Sequence, residues 1–406
     1  MSEPRIFDPG VRGSMAVLPG APDLWSYSSL KAVETCPRRY VLARAQYSDI
    51  WDRAGYPEVP SVAALFGDVV HDSLETIVRA LTNQGCTSAS GQQATAVLKE
   101  LGGYSAVAKK ALANRLKGLE SNPRLVGERR QRLQDQLEQR IPEVREEVQH
   151  YLHRMALAPR TRSGSGSGSG SGGPRYTRSV GSHPEATLQA DDLRLWGRVD
   201  LLTVGHAKVD ITDYKTGAEN ESHLDQLRFY AVLWDQDTVS NTSRTPLGML
   251  TAAYPNHEVT IDAPDTPQLQ LLVEAFASRV AAADELVQSD EPAAQPGEQC
   301  TFCSVRPLCS AYWPTTPDPA TLKRGSWFDF EGIVIERNGI KSWWLLDLRT
   351  KNPLLLRTTS AHHSFEPGQR LRLLGLRRDE DPEDKGVVAV LTQTSETFFV
   401  SESCDN

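Results

Sequence analysis

The chain has no run of 18 apolar residues, only six cysteines among 406 residues, and no surplus of basic over acidic side chains, its net charge being −8. Without such a run it has no candidate membrane-spanning helix. The opening residues, MSEPRIFDPGVRGSMAVLPG, carry neither a basic leader nor a long apolar stretch, so the expected location is cytoplasmic, with no membrane partner. Six unevenly placed cysteines are too few for a disulfide scaffold in a chain of this length. The charge balance argues against a surface coated in base, but it leaves room for a local basic groove beside an acidic, metal-binding site. No G-x-x-x-x-G-K-[ST] loop is present, so the chain carries no helicase motor and any unwinding falls to a partner. What is there, 39% apolar residues over 406 positions, suffices for two or three domains with real cores.

SYSSLKAVETCPRRYVLARAQY, residues 26–47, reads as an amphipathic helix opened by capping serines and broken at Pro37. A second helix is expected from Ser61 to about Leu81, with Val62, Leu65, Phe66, Val69, Val70, Leu74 and Ile77 on its apolar side and His71 along it. Residues 90–160 are rich in Ala, Leu, Gln, Glu and Arg, which predicts a helical subdomain whose charged end is a solvated structural arm. A strict Gly-Ser alternation at 163–173 is a flexible linker and, in its regularity, as much like an engineered one as a natural one. Three strand-like runs follow, ATLQA, LRLWGRVDLLTV and KVDITDYKTG, and then a helix in SHLDQLRFYAVLWDQ, a strand in LGMLTAAYP and a helix over 267–288. From about Thr321 the chain turns to five short strands with a hairpin at Asn338-Gly339, the pattern of a small OB-type barrel. The expected domains are thus 22–320 and 321–406.

The stretch VDITDYKTG ends an apolar strand on Asp213, Tyr214 and Lys215. Strand alternation puts Asp213 and Lys215 on one face and Tyr214 on the other. An arbitrary D-x-K is usually a surface ion pair worth about 0–1 kcal/mol. Here, however, GRVDLL places Asp200 on the preceding strand. Neighbouring strands lie about 4.8 Å apart, so the two carboxylates can share one divalent cation with water and a substrate phosphate. Lys215 would then orient the attacking water or stabilise charge on the phosphorus. His71 taken alone reads as a structural histidine, and Gln226 and Tyr230, four residues apart, share one helix face.

Cys300, Cys303 and Cys309 form C-x2-C-x5-C, and Cys36 lies far upstream in SLKAVETCPRRY. Such a set reads as ligation of zinc or an iron-sulfur cluster. None of these cysteines has the local histidine motif of a nucleophile. Cys86 and Cys404 read as incidental.

In order, SLKAVETCPRRY, FGDVVH, GRVDLL, DYKTG, QLRFY and C-x2-C-x5-C resemble the PD-(D/E)XK nuclease superfamily, and within it the RecB-like nucleases with an iron-sulfur cluster, among them the adaptation nucleases of CRISPR systems. The resemblance runs from Ser26 to Trp313. It implies an α/β, restriction-endonuclease-like core with a helical subdomain, here followed by the small all-β OB-like domain. It makes His71, Asp200 and Asp213 ligands of Mg2+ or Mn2+, Lys215 the catalytic lysine, and Gln226 and Tyr230 residues bordering the bound DNA. Glu185 matches an acid often found ahead of the GRVDLL motif. Cys36, Cys300, Cys303 and Cys309 become ligands of a [4Fe-4S] cluster, with zinc the alternative.

The expected function is a Mg2+- or Mn2+-dependent DNase favouring single strands or ends, acting in repair, recombination or defence beside a separate helicase or defence-system protein. A catalytically silent binding module on the same core is the alternative, and an RNA-directed nuclease a third reading. In the barrel, Trp327, Phe328, Phe330, Trp343 and Trp344 are candidate stacking platforms, and Arg370, Arg372, Arg377 and Arg378 candidate phosphate contacts; alternating aromatics in a small barrel also fit its core.

Overall fold

A computed structural model describes residues 6–8, 10–12, 14–158, 176–359, 363–380 and 386–401; the Gly/Ser linker at 163–173 and Cys404 lie outside them. A short antiparallel pair, β1 (Ile6–Phe7) and β2 (Ala16–Val17), precedes α1 (Tyr27–Thr35). Ser26 caps α1 in a reciprocal box with Ser29. Pro37 forces the expected break, since it cannot donate to the preceding turn. α2 (Pro37–Arg44) therefore starts afresh, with Cys36 at the joint. α3 (Val62–Asn83) is capped by Ser61 and buries Leu65, Phe66, Val69, Val70, Leu74 and Ile77. The helical subdomain comprises α4 (Gln92–Glu100), α5 (Tyr104–Gly118), α6 (Gly127–Gln139) and α7 (Ile141–Arg154). It is not the solvated arm that its charge suggests. Beneath the charged face, Val144, Val148, Tyr151 and Leu152 of α7 are buried with α3 against Leu201, Tyr214 and Ala253 of the sheet.

That sheet runs β3-β4-β5-β6-β7, from β3 (Gly181–Ala190), β4 (Leu195–Val204), β5 (Val209–Tyr214), β6 (Leu247–Ala253) and β7 (Glu258–Asp262). Only the β5–β6 pair is parallel among these, and α8 (Glu221–Gln236) is its crossover. The edge strand β7 was not expected; its five residues alternate between partly and fully exposed, a pattern too short and too polar to stand out. α1, α2, α8 and α9 (Thr266–Gln288) cover the other face, packing Leu30, Tyr40, Phe229 and Phe276 with Leu188, Ile211 and Leu250. Gly197 lets α8 press onto β4, because a Cβ there would lie 2.9 Å from Leu233 and 3.0 Å from Tyr230.

The C-terminal strands are β8 (Trp327–Arg337), β9 (Ser342–Asp347), β10 (Pro353–Thr358), β11 (Arg370–Asp379), β12 (Val387–Leu391) and β13 (Glu396–Val400). β8, β9, β10, β12 and β11 close on one another in that order, with β10 and β12 parallel, which is the five-stranded barrel expected. β13 is an addition: it pairs with β11, and Arg12 donates its amide to the Phe399 carbonyl at 2.9 Å from the other side. Phe328, Phe330 and Trp343 are the barrel core, so the expectation of stacking platforms fails for these three. Arg372 is 4% exposed and donates to Glu331 (2.7 Å) and to the Pro307 carbonyl (2.8 Å), which removes it as a phosphate contact. Trp327, 57% exposed, is free to stack.

Arg124 ties the regions together. It donates to the carbonyls of Pro57 (3.0 Å) and Ser304 (2.8 Å) and pairs with Glu396 of β13 (2.8 Å), which Arg129 also holds (2.9 Å). No helix among the described residues is long and apolar enough to cross a membrane.

Candidate active site

Leu201 pairs with Thr212, so Asp200 on β4 stands across from Asp213 on β5. On the other side Pro184 and Ala186 pair with Leu201 and Val199, so Glu185 on β3 stands across from Asp200. Three carboxylates therefore form a row over three neighbouring strands. The strand-like run ATLQA starts one residue after Glu185; β3 begins earlier, at Gly181, and carries Glu185 within the ladder. The strands are irregular at this row. Val199 packs toward α8 and Leu201 toward α3, so side-chain alternation breaks at Asp200, and Glu185 opposite takes a left-handed φ of +52°. A non-glycine residue held there costs about 1–3 kcal/mol and persists only where its surroundings enforce it.

Burying like charges opposite one another is unfavourable, and the ionisation of the row reflects it. Burial and then the Asp200 charge lift the Asp213 carboxyl to about 7 despite Lys215, and lift Glu185 to about 8 despite Arg198, its ion-pair partner at 2.5 Å. Burial would raise Asp200 too, but His71, the Tyr214 amide (2.6 Å) and Lys215 hold it below the ordinary range. His71 reaches the row from α3, its Nδ1 standing 3.4 Å from Asp200 Oδ1. Burial lowers the imidazole, but the Asp200 charge and hydrogen bond, backed by Asp213 and Glu185, outweigh it and carry the group to about 9. α3 comes this close because Gly67 lacks a side chain: a Cβ there would sit 2.9 Å from Thr216 Oγ1.

Ligand atoms of His71, Glu185 and Asp200 lie within 4.8 Å of one another. Asp213, 2% exposed, is drawn instead to the Lys215 ammonium, which contacts its buried Oδ2. Two carboxylates and an imidazole gathered this closely, with a third carboxylate on the next strand, are a fitting donor set for a hard divalent cation.

Lys215 is held from several sides. Its ammonium contacts Asp213 and donates to Gln226 Oε1 (2.7 Å); Gln226 donates to the Tyr230 hydroxyl (2.8 Å), which donates to the Arg198 carbonyl (3.0 Å). Tyr230 is 5% exposed. The backbone of Lys215 is fixed by the Ala253 carbonyl (2.8 Å) and by the Tyr151 hydroxyl (2.8 Å), which donates to the Lys215 carbonyl. As alternation requires, Tyr214 points the other way, into the core with Tyr151. Tyr151 carries no sequence signal: it lies in the charged α7, distant in sequence from every motif.

The four clustered cysteines meet in a second place. Cys36, at the α1–α2 joint, lines one pocket with Cys300, Cys303 and Cys309, which lie in and after the 3-10 turns Glu298–Phe302 and Arg306–Leu308. All four thiols are free, and burial pushes Cys303 up to about 11 and raises Cys309. Cys86 is a buried member of the helical core.

No curated protein sequence matches the chain. Among solved structures it is similar to the OB domain of a Methanosarcina mazei protein (16% identity, 21% of this chain and 84% of that one, TM-score 0.19). It is also similar to the p204 HINb domain (19% identity, 27% and 55%, TM-score 0.19) and to a murine DNA-binding protein bound with double-stranded DNA (8% identity, 51% and 86%, TM-score 0.20). The barrel's assignment rests on its own strand order. The acidic row, its lysine and the helix that brings His71 all fall within residues 24–310, the span that matches one family, and on that match the chain belongs to the PD-(D/E)XK nuclease superfamily.

Proposed function

We propose that this nuclease is a DNase of the iron-sulfur-bearing RecB-like branch, and that Asp200, Asp213 and Lys215 are its catalytic residues. The observation carrying this reading is the meeting of Glu185, Asp200, Asp213, His71 and Lys215 where β4 and β5 part. His71, Asp200 and Asp213, with Glu185 added, are the residues that would hold Mg2+ or Mn2+. A divalent cation supplies Lewis acidity there, polarising a phosphoryl oxygen and easing deprotonation of water. Lys215 places a positive charge beside the reacting phosphate, where negative charge grows in the transition state. Gln226 orients that ammonium and borders the strand, while the buried Tyr230 acts through Gln226 and not by touching DNA.

The pocket shared by Cys36, Cys300, Cys303 and Cys309 would hold the [4Fe-4S] cluster, whose role is to staple the two ends of the nuclease region. A single tetrahedral zinc, with Zn–S of about 2.3 Å, would draw sulfurs to about 3.8 Å from one another. Four thiolates lining one pocket suit either group, and the metal content of the purified protein decides between them. Cys303→Ser is expected to bleach a brown protein and lower its unfolding temperature; a colourless wild type with stoichiometric zinc after anaerobic purification would reverse this assignment. The proposed domain division stays at about residue 320, the barrel standing beyond the cysteine segment.

The test is incubation of the purified chain with end-labelled single-stranded and duplex DNA in Mg2+, Mn2+ or EDTA. Metal-dependent cleavage is expected, and the product ladder reads the preferred strand form. Absence of cleavage in every metal would favour the silent binding module.

A further inference from the structure

The side of α8 that serves Lys215 carries one more polar group. His223, Gln226 and Tyr230 are spaced three and then four residues apart, so they stand above one another on one side of the helix. Gln226 and Tyr230 form the chain that holds the ammonium, and His223, one turn earlier, takes no part in it. Its Nδ1 lies 2.7 Å from the hydroxyl of Tyr254, the residue after Ala253, whose carbonyl accepts from the Lys215 amide. The Asn220 amide is directed at the same hydroxyl oxygen. The hydroxyl therefore gives its proton to Nδ1, and this network assigns the imidazole's own proton to Nε2. No acceptor among the described residues meets that N–H, on a ring that is only partly buried.

The charges around His223 are positive. Exposed Lys31 approaches from α1, where Tyr27, one turn before it, donates its hydroxyl to the Ser222 carbonyl (2.8 Å) and so sets that face of α1 against the start of α8. Burial and then the charges of Lys215 and Lys31 lower the imidazole below its ordinary value, which keeps it neutral near physiological pH. The acids nearby are turned to other partners: Glu34 and Asp225 to Arg279 (2.6 and 3.1 Å) and Glu219 to His257 (2.5 Å). Glu221, two residues before His223, does not face it across the helix. A fixed N–H donor near two ammonium groups, with no carboxylate turned to it, suits a phosphate oxygen.

We propose that His223 is a phosphate-binding residue of this nuclease, its Nε2–H and Lys31 together holding the strand phosphate next to the one at Lys215. Tyr254 is a positioning residue that fixes the tautomer. The inference rests on the reading of the chain as a DNase and adds a contact to the strand beside the reacting bond.

The test is the affinity of the full chain for a fluorescein-labelled single-stranded oligonucleotide, by anisotropy in EDTA over a series of salt concentrations. His223→Ala is expected to weaken binding about tenfold, the loss of a hydrogen bond to a charged group. The slope of log affinity against log salt should stay at the wild-type value, because a neutral donor releases no counterion, whereas Lys31→Ala should lower it by about 0.7. His223→Gln, which keeps an N–H near the place of Nε2, should bind within about threefold of wild type. Should His223→Ala not fold, as circular dichroism would show, Tyr254→Phe decides: the imidazole stays, its tautomer is released, and affinity should fall about threefold with the slope unchanged. The proposal is overturned if His223→Ala or, in its place, Tyr254→Phe superimposes on wild type, if His223→Gln is as weak as His223→Ala, or if wild type does not bind. Metal-dependent cleavage judges the DNase reading separately, so a wild type that cleaves and binds beside a His223→Ala that binds equally well removes only this inference.

Discussion

The central sheet and the barrel handle out-of-place residues in opposite ways. In the sheet, polar groups interrupt apolar strands, alternation breaks at Asp200, and the buried charges are wired together through Lys215, Gln226 and Tyr230. In the barrel, aromatics that looked like a binding surface, Phe328, Phe330 and Trp343, are simply its interior. A buried carboxylate is costly and needs a reason, whereas a buried tryptophan needs none. Polar intrusion in a strand is therefore the stronger pointer to chemistry.

Substitutions can sharpen that contrast. Asp213→Ala or Lys215→Ala should cut DNA cleavage by at least about 10²–10³-fold while circular dichroism and unfolding temperature stay near wild type; a variant with full activity would break the site assignment. In the barrel the pattern inverts: Trp343→Ala should destabilise by about 3–5 kcal/mol through the cavity it leaves, with cleavage of short substrates spared, as denaturant unfolding and a cleavage assay would record.

The joint between the regions comes next in size. Burial would raise the Glu396 carboxyl, but hydrogen bonds from Arg124 and Arg129 hold it down, from 4.5 to about 2. Because the folded value is the lower one, this stabilisation is complete above about pH 4.5 and is lost as pH falls toward 2. A shift of that size corresponds to about 3 kcal/mol, so Glu396→Gln should lower stability by that order at pH 7 and make little difference near pH 2, measured by urea unfolding at both. Smallest of all, Trp327→Ala at its exposed position should change stability by less than about 0.5 kcal/mol, and any effect should appear only in strand affinity by fluorescence anisotropy.

Much of this was legible beforehand. Helix starts at Ser26 and Ser61, the break at Pro37 and the Asn338-Gly339 hairpin follow from local chemistry, and the structure has each of them. The pairing of Asp200 with Asp213 was readable because one tight turn joins their strands. Glu185 was harder, since its strand starts with Gly181, Ser182, His183 and Pro184, a run with little strand character, and its place depends on register across the sheet. Tyr151 and Arg124 were not readable at all: each acts on a backbone carbonyl far away in sequence, a contact that leaves no local pattern. The strands β7 and β13 were missed because short edge strands owe their existence to their partners.

The central claim is that the row of carboxylates and His71 form one divalent-cation site. Titration of Mn2+ into the full chain, followed by electron paramagnetic resonance of the free ion, tests it without reference to turnover. One ion should bind to wild type, with affinity at least about tenfold weaker in His71→Ala and in Asp200→Asn. Binding isotherms that superimpose on wild type in both variants would contradict it.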